Sequence, residues 1–294
     1  MPRIEVRWER MFPDELEAAF KQRPIVYLPY GLCEPHGPIN ALGMDALRAH
    51  STSVLAARRD GGIVAPANYW HIHEQGGYGT WAHGRVGDAR PWLTALPAWM
   101  FLKNLCYHIR AVDALGFKGA ILFSGHSGPH RLDVPRVLDV MREHVSVRLF
   151  SVIGTAEPQC RFPDGKGMGG HAGRGETTLL WAVEPDCVDL SRLPTDDSGA
   201  PHFAMGDHND TSDRRLGELM VDDIVEMLAE EAAGLIAEYD TREARPALTY
   251  EDVETIWDDE IRPMLPDFAS MQAADDGPPE GSRWRANWAI PSLR

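Results

Sequence analysis

The chain reads as an α/β protein built on a mainly parallel sheet. Two observations predict that class. Short apolar runs alternate with stretches that carry apolar side chains at helical spacing, the pattern of right-handed βαβ crossovers. Three stretches also place polar groups just after a strand or just before a helix, at 34–45, 126–130 and 171–176. In an open parallel sheet all three reach the carboxyl edge, where ligands bind.

The elements follow in order. Residues 14–22 predict a short opening helix, and Ile25 to Leu28 a buried strand that ends at Pro29 and Gly31. Residues 44–58 are helical by spacing and break at Gly61 and Gly62, before a short strand over 63–65. Residues 68–84 are dense in aromatics, histidines and glycines without periodicity, which predicts a long ordered loop over the site. A long helix over 91–115 is closed by Gly116, and residues 120–123 form a third strand. A helix over 131–144 and a strand over 145–153 come next. Residues 158–175 are glycine-rich and lead into another helix, 194–214 are turn-rich loop, and 216–237 form an amphipathic helix. We therefore expect a body over 1–240 and an extension over 241–294. The extension's Trp257, Trp284 and Trp288 predict docking on the body or on a neighbouring subunit.

The bulk numbers narrow the function. A chain of 294 residues can bury a full core, and its 44% hydrophobic and 25% charged residues are ordinary for a globular protein. With 44 acidic against 29 basic residues the net charge is −15, which argues against nucleic acid as a partner. The charged first twenty residues lack an apolar leader and no stretch is long enough to span a bilayer, so we expect a cytoplasmic protein without a membrane partner. Cys33, Cys106, Cys160 and Cys187 are scattered and form no C-x-x-C pair, which suits reduced thiols. Cys33 is expected to be a packing residue rather than a nucleophile.

The chemistry concentrates after the first strand. In extended chain, residues i and i+2 face the same side, so Glu34 and His36 share a cavity, and Asp45 follows. Two carboxylates and an imidazole are metal-ligand types. His126 follows the strand 120–123 between glycines that leave its ring uncrowded. Glu176 falls in a helical first turn, where it either offsets the helix dipole or ligates a metal, with His171 then free to move protons.

These motifs resemble the creatininase (creatinine amidohydrolase) family. Glu34, His36, Gly37 and Asp45 match its E-x-H-G-x(7)-D motif, and the run Ser124, Gly125, His126, Ser127, Gly128, Pro129, His130 resembles its N-G-H-G-G-N motif. His171, Ala172, Gly173, Glu176 and Thr177 match H-A-G-x-x-E-T, and Tyr78, Gly79 and Thr80 echo F-P-G-T. The likeness covers roughly residues 20–240. It implies a three-layer α/β/α sandwich, a homo-oligomer (a hexamer) and two divalent ions, Zn, Mn or Fe. Glu34, Asp45 and His126 would hold one ion, and Asp45 would bridge to a second held by His36. The family's further glutamate ligand falls at Gly128 here, so Glu176 is expected in its place. The family's closing tryptophans have no counterpart in residues 166–170, which are Lys166, Gly167, Met168, Gly169 and Gly170.

The implied activity is hydrolysis of a small-molecule substrate, with two ions activating water against a carbonyl, Glu176 in the machinery and His171 passing a proton to the leaving group. A cyclic amide or formamide is the expected substrate type, with C–C cleavage of a cyclic sugar or inositol diketone as the alternative. A peptide bond in cofactor maturation is a further family activity. From other classes, a metal-dependent isomerase and a non-catalytic binding subunit remain as readings. Tyr78, Trp81, His83 and His130 are the expected substrate contacts, with Tyr69, Trp70, His71, His73 and Glu74 also near the pocket.

Overall fold

The computed structural model describes residues 5–73, 77–153, 162–195, 202–272 and 277–288. Its centre is a four-stranded parallel sheet in the order β2-β1-β3-β4, formed by β1 (Ile25–Tyr30), β2 (Ile63–Val64), β3 (Gly119–Ser124) and β4 (Arg148–Ile153). Period-two alternation sorts the side chains onto two faces. Val26, Leu28, Ala120, Leu122 and Leu149 enter one core, whereas Tyr27, Ile121, Phe123, Phe150 and Val152 enter the other. The register explains the agreement between strands, since Tyr27 lies beside Ile121 and Ile121 beside Phe150.

Helices cover both faces, giving three layers. Buried residues of α4 (Ala98–Ala114) and α5 (His130–Arg142) fill the first core. Those of α2 (Met44–Asp60), α6 (Arg174–Val183) and α7 (Arg214–Asp240) fill the second. The opening helix α1 (Pro13–Gln22) packs Leu16, Ala19 and Phe20 against the first core.

Three differences from the expected elements have a clear physical reason. The first strand runs through Pro29 to Tyr30. The Pro29 carbonyl accepts from Asn68 on the β2 side, past the point where β2 stops, so no ladder bond needs the missing Pro29 N–H. The helix expected over 91–115 begins only at Ala98. Before it, the Thr94 N–H donates to the Cys33 carbonyl (3.1 Å) and the Thr94 hydroxyl accepts the Cys33 N–H (2.8 Å), which holds this stretch against the loop after β1. The loop expected over 68–84 contains the start of α3 (Gly77–Val86), which three glycines and two aromatics concealed from periodicity.

Beyond α7 the chain folds back on the body. Trp257, Ile261, Leu265 and Phe268, which follow α8 (Tyr250–Ile256), enter the first core. The buried Asp133 carboxylate of α5 accepts the backbone N–H groups of Ala269 (2.8 Å) and Ser270 (2.7 Å). A last short helix, α9 (Arg285–Trp288), lies against α3. Cys33, Cys106 and Cys187 are free thiols, and Cys160 lies outside the described residues. Among the described residues no helix is long and apolar enough to cross a membrane.

Candidate metal centre

Two close approaches set the site. A Cβ on Gly31 would fall 2.6 Å from the Asp45 carbonyl carbon, and one on Gly125 would fall 2.8 Å from the same atom. Only hydrogen fits at either position, so the first turn of α2 lies directly against the ends of β1 and β3. Asp45 is thereby wedged between the loops that carry Glu34, His36 and His126.

The polar groups interlock at short range. Glu34 Oε1 lies 3.0 Å from His126 Nδ1, and Glu34 Oε2 lies 2.9 Å from His73 Nε2. Asp45 divides its oxygens, with Oδ1 3.3 Å from His36 Nε2 and Oδ2 3.2 Å from His126 Nδ1. His36 Nε2 also faces Glu34 Oε1 at 3.6 Å and Glu176 Oε2 at 3.9 Å. His171 stacks obliquely on His36 with ring centroids 4.6 Å apart, and its Nδ1 lies 3.7 Å from Glu34 Oε1. Glu34, His36, Asp45, His126 and Glu176 are all buried, whereas the His171 side chain is 22% exposed at the mouth.

The backbone selects the tautomers. His36 Nδ1 donates to the Glu34 carbonyl at 3.1 Å, so Nε2 faces the carboxylates and carries the lone pair whenever the ring is neutral. His171 Nε2 donates to the Pro35 carbonyl at 2.9 Å, which leaves Nδ1 facing the cluster. Burial opposes every charge here, yet mutual attraction outweighs it. Burial acts to raise the Glu34 and Asp45 carboxyls, but the charges of His126 and His171 on Glu34, and of His36 on Asp45, hold both below their ordinary values. Burial would lower His36, yet Asp45, Glu34 and Glu176 lift it to about 9. His126 is raised well above its usual value, against burial, by Glu34 and Asp45.

The donor set suits cations. His36 Nε2 and Asp45 Oδ2 are buried and make no hydrogen bond. Separations near 3.3 Å are what two ligands show when each lies about 2.1 Å from one shared ion. Two groups gather their ligand atoms within 4.8 Å of one another: Glu34, Asp45 and His126, and Glu34, His36 and His171.

Other candidates fall in different places. Glu176 Oε2 accepts the Ala172 N–H at 2.6 Å and Oε1 faces Arg48 at 3.9 Å, so its charge is partly held by the protein. Trp81 meets the His171 ring edge-on at 5.2 Å. His83 points to Asp88 at 3.2 Å instead of to the cluster. His130 is fully buried beneath His126, with rings stacked 4.9 Å apart, and burial followed by its histidine neighbours pushes it well below its usual value. His71 is likewise buried and stacks on Phe101. Trp70 is exposed. Glu74 and the side chain of Tyr78 lie outside the described residues. Sequence reasoning gave no separate role to His73 or Arg48. The H-x-H spacing of 71 and 73 is a signal for the former, and none existed for Arg48.

The creatininase family profile, creatinine amidohydrolase, matches residues 9–232. The chain belongs to the creatininase family. A creatinine amidohydrolase of Pseudomonas putida is 25% identical over 234 residues, covering 70% of this chain and 87% of its own. A crystal structure of creatininase superposes with a TM-score of 0.63 at 21% identity, covering 79% of this chain and 98% of its own. A manganese form of creatininase gives 0.62 at 22%, with 78% and 98% covered. A putative creatinine amidohydrolase from Bacteroides fragilis gives 0.58 at 18%, with 83% and 100% covered. At these identities the structural likenesses speak for the creatininase fold alone.

Proposed function

We propose that this creatininase-family chain is a hydrolase that uses two divalent ions, drawn from Zn, Mn and Fe, on a small carbonyl substrate. The observation that carries the reading is Asp45, whose two oxygens serve two different imidazoles, His36 and His126. A carboxylate so placed could serve two cations at once. One ion would be held by Glu34, Asp45 and His126, the other by His36 with Asp45, Glu34 and Glu176 around it. Bound there, such ions supply Lewis acidity and lower the pKa of water. Creatininases described in Mn and Zn–Zn forms support the choice of metals.

The chain's own residues do the rest. His171 is anchored through Nε2 on the Pro35 carbonyl, so its Nδ1 is the atom that accepts a proton and passes it to the leaving group. Glu176 is fixed by the Ala172 N–H and helps hold His36 in place. Trp81 stands over His171 at the mouth and offers an aromatic wall to a flat substrate. The family resemblance favours cleavage of a C–N bond in a cyclic amide or formamide. A cyclic diketone cleaved at C–C would use the same attack on a carbonyl.

Metal analysis of purified protein and of Asp45→Ala tests the centre: about two ions per chain are expected in the former and none in the latter. Full metal content in the variant would refute the bridging role. A panel of cyclic amides, formamides and cyclic diketones run in ¹⁸O-water tests the chemistry. Turnover without label in the product would replace hydrolysis by isomerisation.

A further inference from the structure

The family match ends at residue 232, yet the chain continues and returns to the metal centre from outside it. Trp284 is 1% exposed and packs with Ala82 and Val86 of α3 and with Ala204. Its ring lies 6.1 Å from that of His73. Trp288 packs over Gly79 at the start of α3. His73 occupies the stretch just before α3, and its Nε2 lies 2.9 Å from Glu34 Oε2. It therefore engages the oxygen of Glu34 that points away from His126, leaving Oε1 for the ligand cluster.

We propose that His73 is a positioning residue for the ligand carboxylate Glu34, and that the C-terminal segment holds His73 in place through Trp284. The physical basis is general. A carboxylate ligand with one oxygen fixed by an outer hydrogen bond presents the other in a single direction, and losing such a partner costs metal affinity. The Trp284 indole N–H has no hydrogen-bond partner among the described residues, so what His73 uses is the ring and its bulk. The inference rests on the metal-centre reading above.

Cobalt(II) titration of the full-length, metal-stripped protein tests it, read by the visible absorption of the bound ion and without any substrate. His73→Ala should weaken cobalt binding about 10–100-fold, and His73→Gln, which keeps an N–H donor, should restore most of it. Trp284→Ala should weaken binding in the same direction, and Trp284→Phe should stay within about threefold of wild type. In the double variant His73→Ala with Trp284→Ala the losses should fail to add, because both act on one carboxylate. Wild-type affinity and spectrum in His73→Ala overturn the proposal. So does a loss in Trp284→Ala that simply adds to that of His73→Ala. Absence of cobalt binding by the wild-type protein refutes the metal-centre reading instead.

Discussion

The tightest geometric constraint on the centre is hydrogen-sized, at Gly125. A methyl there would fall 2.8 Å from the carbonyl carbon of Asp45 and 2.9 Å from its Cα, and nearer still to its carbonyl oxygen. All three are backbone atoms, so no side chain can rotate away. Carbon atoms pack at about 3.5 Å or more, so the carbonyl carbon alone requires Gly125→Ala to drive β3's exit loop and the first turn of α2 apart by roughly 0.7 Å, and the nearer carbonyl oxygen requires more. Overpacking of this kind costs about 1–3 kcal/mol, and at about 2 °C per kcal/mol a chain this long should melt roughly 2–6 °C lower. The displacement also separates His126 from Asp45, whose Nδ1 and Oδ2 are 3.2 Å apart, so metal content should fall with stability. The assay is a thermal melt with and without added zinc, together with metal analysis. Gly234→Ala is the control, since its added methyl meets nothing within 4 Å and it lies inside α7; that variant should be neutral or stabilised by up to about 1 kcal/mol. Wild-type melting and metal content in Gly125→Ala would refute the wedge between α2 and the two strand ends.

Three further outcomes are expected. In metal-stripped protein His36 is raised from its ordinary 6.5 to about 9 by Asp45, Glu34 and Glu176 against the opposing effect of burial, so its protonation stabilises the fold fully below pH 6.5. That contribution, on the order of 3 kcal/mol, is lost as pH rises through about 9, and melts between pH 6 and 10 should fall accordingly while the zinc-loaded protein changes little. Asp133→Ala leaves the N–H groups of Ala269 and Ser270 without their acceptor and should cost about 2–3 kcal/mol, with faster proteolysis near residue 270 as the readout. Trp81→Ala should lower kcat/KM for whichever compound turns over but leave metal content unchanged, because the ring meets His171, the proposed proton carrier.

Much of the frame was legible because apolar runs and their stops obey local rules. The β1, β3 and β4 strands, and the helices α2, α5 and α7, follow from periodicity alone. The ligand-type residues were legible by motif, and the structure brings Glu34, His36, Asp45 and His126 within a few ångströms. What stayed hidden depends on partners far along the chain. The α3 helix is glycine-rich and is packed by Trp284 and Trp288, about two hundred residues later. Pro29 reads as a strand end until the short length of its neighbour β2 is known. The H-x-H spacing of 71 and 73 marked His73 without giving it a partner, because its contact with Glu34 depends on the placement of the chain between β2 and α3.

The distribution of compensating charge separates Glu176 from the other two carboxylates. Glu176 stands in the first turn of α6, where the helix dipole favours an anion, accepts the Ala172 N–H, and faces the buried Arg48 guanidinium at 3.9 Å. Arg48 is itself tied to the Gly125 carbonyl, so its charge is fixed at this edge of the centre. Asp45 also lies in a helical first turn, that of α2, but no arginine approaches it or Glu34 in the same way among the described residues. Their counter-charges are the imidazoles, and an imidazole supplies charge only while it holds a proton that a metal would displace. Glu34 and Asp45 therefore need cations to remain buried as anions once His36 and His126 are neutral, whereas Glu176 does not. On the two-ion reading proposed above, Glu176→Gln should lower turnover and weaken an ion beside His36 while sparing one at His126, but Asp45→Ala should lose both.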